Sequence, residues 1–274
     1  MTLTRTQVSD LLSRHGLEPS RALGQNFVAD PNTVRRIVRL AGVGPGDRVV
    51  EIGPGVGSLT TALAEVGAAV TAVELDRHLL PVLEEVAVPL GVRVVHGDAL
   101  TVDWPELLAG ADDWSLVANL PYNVATTIVL HLLDEVPAIQ SMLVMVQREV
   151  AERLAAPAGS RTYGIPSVKV AMWADAEVVG KVPATVFVPQ PRVESALVRL
   201  RRRREPRVAH DPDLMMELVR KAFGQRRKML RRSLLGAVEP DEMVEAGIDP
   251  ADRPEQIPVE GWVTLADVVS ARRS

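Results

Sequence analysis

Val49-Val50-Glu51-Ile52-Gly53-Pro54-Gly55-Val56-Gly57 decides how this chain is read. Val49, Val50 and Ile52 make a short apolar run suited to a buried strand, and the glycines after it supply a tight turn. Leu59, Leu63 and Val66 then recur at helical spacing. A strand running through a glycine loop into a helix opens a nucleotide-type βα unit. Outward from it, Val70–Val73 ends at Glu74, Val92–Val95 closes at Gly97-Asp98, and Leu116–Ala118 delivers Asn119-Leu120-Pro121-Tyr122. Met142–Val146 supplies a fifth apolar run. Strands alternating with helices at these intervals imply an α/β fold with a parallel, doubly wound, Rossmann-like sheet. Ligands of such sheets bind at the carboxyl ends of the strands. Gly53, Glu74, Asp98 and Asn119 all fall there.

The flanks add helices and a second domain. Residues 1–19 read as a weak amphipathic helix through Val8, Leu11 and Leu12. Asp30-Pro31 is a helix start, followed by Val34, Ile37, Val38 and Ala41 on one face. Gln147 to Leu154 reads as helix. The proline-punctuated stretch from Val182 to Pro191 reads as a loop that cannot be a central strand, and Ala196–Leu200 as the last strand. Arg201 to Arg204, with Glu205 and Pro206, marks a linker. The expected domains are therefore 1–205, holding the sheet and an N-terminal helical extension, and 206–274, a small all-helical domain with helices over 212–235, 241–246 and 263–271.

Composition bounds the function. The chain is 47% hydrophobic and 24% charged and has no cysteine, which excludes disulfides and thiolate metal sites. The five histidines are too scattered to suggest a metal site. No stretch approaches about 18 consecutive apolar residues, so no membrane span is expected. The first residues lack the apolar core of a signal peptide, so a cytoplasmic protein is expected. The net charge of −4 argues against a nucleic-acid partner until its distribution is seen. Between Arg199 and Arg232 there are 13 Lys/Arg against 4 Asp/Glu. Phosphate attraction is local, on the scale of a Debye length of about 8–10 Å, so this segment outweighs the total.

The glycine loop suits either a dinucleotide or S-adenosylmethionine. Dinucleotide binding wants Gly-x-Gly-x-x-Gly, but here the sixth position is Ser58 and the third glycine stands at 57. Glu51 immediately before the loop adds a carboxylate. S-adenosylmethionine carries no phosphate; it needs close backbone approach and carboxylates that suit a cation. Glu74, 21 residues after Gly53, could accept from both ribose hydroxyls, and Asp98 from the adenine amino group of the cofactor. Asn119 offers a side-chain carbonyl oxygen, the Leu120–Pro121 link holds the backbone extended, and Tyr122 presents a flat ring. Acceptors beside a stacking ring suit a planar base with an exocyclic amino group, such as adenine.

At this point the chain resembles the KsgA-type small-subunit ribosomal RNA adenine N6,N6-dimethyltransferases over nearly its whole length. The matching stretches include Leu23-Gly24-Gln25-Asn26-Phe27, Val50–Gly55, Glu74-Leu75-Asp76, Gly97-Asp98-Ala99 and Asn119–Asn123. They continue through Gln147-Arg148-Glu149-Val150, Tyr163-Gly164, Phe187–Val193 and Ala222–Lys228. The resemblance implies S-adenosylmethionine as cofactor, held by Asn26, Val28, Gly53, Gly55, Glu74, Asp98 and Asn119. It implies dimethylation of two adjacent adenosines in the 3′-terminal hairpin loop of 16S rRNA, within the immature 30S subunit, by a protein expected to be a monomer. The catalytic set is Asn119, Leu120, Pro121 and Tyr122, with Phe187 expected to stack the target base from its other face. Arg226, Arg227, Lys228, Arg231 and Arg232 are expected on one helix face against RNA phosphates. Arg192, Glu194, Met229 and Arg232 depart from the family's usual residues, in regions expected to contact RNA. Alternatives are an Erm-type methylase of 23S rRNA, methylation of DNA adenine or of a protein glutamine amide, a ribosome-assembly factor retaining the fold, and, more distantly, an NAD oxidoreductase.

Overall fold

The structure, a computed structural model, describes residues 2–20 and 22–273. In chain order the first half forms α1 (Arg5–Arg14), β1 (Phe27–Val28), α2 (Pro31–Ala41), β2 (Arg48–Ile52), α3 (Ser58–Glu65), β3 (Ala69–Glu74), α4 (Leu80–Val86), β4 (Arg93–His96), α5 (Trp104–Leu107) and β5 (Trp114–Asn119). The second half continues with α6 (Ala125–Glu135), β6 (Ile139–Gln147), α7 (Arg148–Leu154), α8 (Ile165–Trp173), β7 (Ala174–Val182), β8 (Phe187–Val188) and β9 (Ser195–Arg202). Four helices close the chain: α9 (Pro212–Gly224), α10 (Leu230–Ser233), α11 (Pro240–Glu245) and α12 (Val259–Arg273). None of the helices among the described residues is long and apolar enough to cross a membrane.

The large sheet has the order β4-β3-β2-β5-β6-β9-β7. Strands β2 to β6 within it run parallel, with β3 on one side of β2 and β5 on the other. The strand order reverses at β2, so the carboxyl ends of β2, β3, β4 and β5 open onto one rim at the switch point. The sheet is not wholly parallel. Strand β9 pairs antiparallel with β6, Gln147 opposite Ser195. Between β6 and β9 the chain passes through α7, α8 and the edge strand β7, and residues 183–194 join β7 to its neighbour β9.

Local chemistry explains the elements that frame the rim. Asp30 caps α2 by accepting from Thr33 N at 2.8 Å, and Pro31 takes the first turn, where its missing N–H costs nothing. Val34, Ile37 and Val38 are buried on one stripe, each contributing roughly 1.5–3 kcal/mol. Gly42 ends the helix at a φ of 70°. The expected N-terminal helix is α1, with Val8, Leu11 and Leu12 buried. In the proline loop, Val182 closes β7, while Phe187 and Val188 pair antiparallel with Val28 and Phe27 in a separate small ladder.

The chain divides into two compact units, Met1–Ala151 with Glu177–Arg202, and Glu152–Ala176 with Arg203–Ser274. The sequence suggested a junction after 205; the second unit also takes residues 152–176. The reason is α8, whose Val168 and Met172 join Leu218, Val219, Leu265 and Trp262 in that unit's core. The expected helix over 212–235 is broken. It stops at Gly224, a turn follows through residues 225–229, and only Leu230–Ser233 is helical again. Leu230 N donates to Asp252 O at 2.7 Å and Arg231 N to Pro250 O at 3.1 Å. Those partners replace the bonds that a continuous helix would have made. The last two expected helices fall at α11 and within α12.

Candidate active site

The rim of the first unit holds a cavity of about 150 Å³ at the carboxyl ends of β2 to β5. Gly53 and Gly55 sit where the backbone enters the glycine loop, at φ of 68° and 60°, which disfavours any other residue. A Cβ on Gly55 would lie 2.6 Å from the Phe27 ring, so the loop is pressed against that side chain. The cavity borders Asn26, Gly53, Gly55, Glu74, Asp98 and Asn119 together, with Leu120, Pro121 and Tyr122. Val28 does not reach it. Its side chain lies in the core and borders an adjoining void of about 20 Å³, the size of one water, shared with Glu51, Gly53 and Asn119.

Each polar group is held by a nameable contact. Glu74 is buried, and its two oxygens accept from Gly55 N at 3.1 Å and Asp76 N at 2.8 Å. Burial raises its pKa, against those two hydrogen bonds. Asp98 Oδ1 accepts from Leu100 N at 2.9 Å. Gln25 fastens the N-terminal segment across the rim: its Nε2 donates to Asp76 Oδ2 at 2.9 Å, while its Oε1 accepts from Ser20 N at 2.8 Å. Asn123 Nδ2 donates to Ala22 O at 3.3 Å, a second fastening.

Asn119 is the centre of the arrangement. Its Nδ2 donates to Asn26 O at 3.0 Å. A backbone carbonyl can only accept, so this contact fixes which end of the amide is oxygen. Oδ1 is thereby turned away, buried and without a hydrogen-bond partner among the described residues. A buried acceptor left unpaired costs about 1–3 kcal/mol, and the residue that carries it borders both the cavity and the small void beside it. Next to it, Leu120 N donates to Met145 O at 3.1 Å, which anchors the loop to β6. Tyr122 Oη lies 2.6 Å from Ser195 Oγ.

Glu51 is the second orphan. It is wholly buried, and its Oε2 has no hydrogen-bond partner among the described residues. Burial pushes its pKa up to about 8, reinforced by the neighbouring Glu74 carboxylate and eased by the nearby Thr60 hydroxyl. Gly53, Gly55, Glu74, Asp98 and Asn119 give the cavity close backbone approach and acceptor groups, which suits a nucleoside; Glu51 borders the small void beside it.

Phe187 is a correction. Its side chain is fully buried in the core with Val34, Ile37 and Leu197, because its pairing with Val28 turns it inward. It does not border the cavity, where a stacking ring was expected. The expected basic helix face is also revised. Arg226, Arg227 and Lys228 lie in the turn after α9, and only Arg231 and Arg232 are on α10. Arg226 is half-buried: it donates to Arg161 O at 2.8 Å and stands 3.5 Å from Glu255. Arg227, Lys228, Arg231 and Arg232 are exposed. Upstream, Arg202 donates to the carbonyls of Leu132, Leu133, Val136 and Ile139, a C-terminal cap for α6 rather than a phosphate contact. The residues that motif reading missed are Ser195, a hydroxyl heading an apolar strand, and Phe27, which the glycine at 55 implies by leaving room for a ring.

Comparison with known proteins follows the same line. The family model described as ribosomal RNA adenine dimethylase matches residues 18–270. A relative named ribosomal RNA small subunit methyltransferase A from Nocardia farcinica is 48% identical over 274 residues, covering 95% of this chain and 93% of that protein. One of the same name from Kineococcus radiotolerans is 46% identical over 271 residues, covering 96% and 90%. Among solved structures, the 23S rRNA methyltransferase ErmE superposes with a TM-score of 0.68 at 26% identity, covering 89% of this chain and all of that one. A dimethyladenosine transferase from Plasmodium falciparum shares the fold, at a TM-score of 0.75 and 22% identity, covering 87% and 95%.

Proposed function

Because the chain belongs to the ribosomal RNA adenine dimethylase family, we propose that it transfers methyl groups from S-adenosylmethionine to N6 of two adjacent adenosines in the 3′-terminal hairpin loop of 16S rRNA. Each adenosine receives two methyls, and the substrate is the assembling small subunit, met by a monomer in the cytoplasm. The observation that carries this reading is the buried, unpartnered Oδ1 of Asn119, a residue that borders the cavity. The 46–48% identical relatives share the small-subunit name, which favours this target over an Erm-type one.

The chain's part in the reaction is to hold two molecules at one distance. Backbone at Gly53 and Gly55 lets the cofactor approach, Glu74 accepts from its ribose hydroxyls through lone pairs left over from Gly55 and Asp76, and Asp98 accepts from its adenine amino group. When bound, S-adenosylmethionine supplies a methyl on a positively charged sulfur, a leaving group that needs no protonation. In the first transfer Asn119 Oδ1 and the Leu120 carbonyl accept from the two hydrogens of the target N6; in the second, the one hydrogen left is held by one of them. That draws the nitrogen toward a pyramidal shape and aims its lone pair at the methyl. Tyr122 stacks the target adenine, which must be turned out of the RNA loop to enter, worth roughly 1–3 kcal/mol. With Phe187 in the core, stacking rests on Tyr122. No side chain is assigned as general base; N6 loses its proton to solvent after transfer. Positioning of this kind can supply roughly 7–11 kcal/mol of a barrier.

Replacing Glu74 with alanine is expected to weaken cofactor binding about 30- to 100-fold, the value of one or two hydrogen bonds to a charged acceptor. Isothermal calorimetry measures it; an unchanged Kd would remove Glu74 from the ribose. Converting Arg227, Lys228, Arg231 and Arg232 to glutamine is expected to flatten the dependence of log K on log salt for subunit binding by about three. The slope of filter-binding affinity against salt reads this, and an identical slope would take that surface out of the interface. The function itself is tested by incubating labelled S-adenosylmethionine with unmethylated small subunits and mapping the RNA by mass. Two dimethylated adjacent adenosines are the expected product; label in 23S rRNA or none at all refutes the assignment.

A further inference from the structure

We propose that Ser195 is a positioning residue for methyl transfer, holding the Tyr122 ring against the cavity where it receives the target base. The inference rests on the reading of Tyr122 as the stacking platform. Ser195 opens β9 and is wholly buried. Its main chain is fixed by the ladder to β6, where it lies opposite Gln147. On the far side of β6 lies β5, with Asn119 opposite Met145, and Tyr122 follows three residues later. The 2.6 Å contact from Tyr122 Oη to Ser195 Oγ therefore spans β6 and ties the catalytic loop to a strand 73 residues downstream.

Side-chain chemistry says why a serine stands there. Ala196, Leu197 and Val198, which follow it, are all buried and apolar. A hydroxyl wholly buried in such a strand is costly unless it is hydrogen-bonded. The side-chain partner it has is the Tyr122 phenol. The near end of that ring is set by its backbone, between the Leu120 N to Met145 O bond and the Val124 N to Pro121 O bond, at 3.1 and 3.2 Å. Ser195 sets the far end. A ring pinned at both ends keeps its plane without substrate, so less ordering is left to be done when the adenine arrives. Without the Ser195 hydroxyl, the half-buried phenol has lost its partner and the ring is drawn toward water.

A double-mutant cycle on the full chain tests this. Ser195→Ala, Tyr122→Phe and the double variant are compared for single-turnover transfer to unmethylated small subunits at saturating cofactor, for cofactor Kd by calorimetry, and for thermal midpoint. Each single variant is expected to transfer about tenfold more slowly with cofactor Kd unchanged, and the double variant no more slowly than either. A hydroxyl that served only the strand would give losses that multiply in the double variant, and that result overturns the proposal. So does a Ser195→Ala enzyme at the wild-type rate while Tyr122→Ala is impaired. If Tyr122→Ala itself transfers normally, the stacking reading has failed and the role of Ser195 falls with it.

Discussion

Asn119→Ala is expected to slow methyl transfer by about a hundred- to a thousandfold while the protein still folds and still binds S-adenosylmethionine within a few-fold of the wild type. The magnitude is that of removing one preorganised polar group aimed at the reacting atom, roughly 3–4 kcal/mol. The variant loses the orphan oxygen that would orient N6, and with it the Nδ2 bond to Asn26 O at 3.0 Å. The first loss touches the chemical step and the second the strap beside the cofactor, so they are separable. Asn119→Asp keeps an acceptor near N6, loses the amide donor and sets a charged carboxylate oxygen against the Asn26 carbonyl. Its rate should fall between the wild type and the alanine variant, with the larger share of its defect in cofactor affinity. Single-turnover rates at saturating cofactor, set beside calorimetric Kd values, read both. An alanine variant of full activity would end the N6-positioning mechanism.

Glu51→Gln is expected to stabilise the fold, and by an amount that grows with pH. In the unfolded chain the carboxyl titrates near its ordinary 4.5; in the folded protein burial holds it at about 8. Between those values unfolding releases a proton, so the wild type loses stability as pH rises, by at most about 1.4 kcal/mol per unit. The loss is complete above the folded value. Glutamine does not titrate, so its advantage over the wild type should be small near pH 5 and reach a few kcal/mol near pH 8.5, within the ceiling that the shift sets. Denaturant unfolding of both proteins at the two pH values measures this; parallel pH profiles would show that Glu51 is not the buried acid described.

Much of the first unit was legible because its strands end in chemistry. Gly53, Glu74, Asp98 and Asn119 interrupt apolar runs at the strand ends, and all four border the one cavity there. What escaped was set by tertiary contacts. Helix α8 is apolar nearly all round, so Ile165–Trp173 carries no stripe, and its membership of the second unit depends on the core it enters. The break after Gly224 comes from carbonyls at Pro250 and Asp252, distant in sequence from Leu230 and Arg231. Phe187 sits in a motif that resemblance marks as functional, yet the two-residue ladder with Phe27–Val28 sends its ring to the core. The arginine-rich segment looked uniform by charge, while the fold spends Arg202 on four carbonyls and leaves Arg227 and Lys228 in water.

The reversed direction of β9 has a bearing on redesign. A parallel strand brings to the rim only the segment that leaves it, whereas this one brings the segment that enters. The peptide before Ser195 and the peptide after Asn119 thus meet from opposite ends of a long stretch of chain, stitched by one phenol and one alcohol. Grafting a new target preference onto this scaffold is a two-piece transplant, and swapping either piece alone would leave the other facing a stranger.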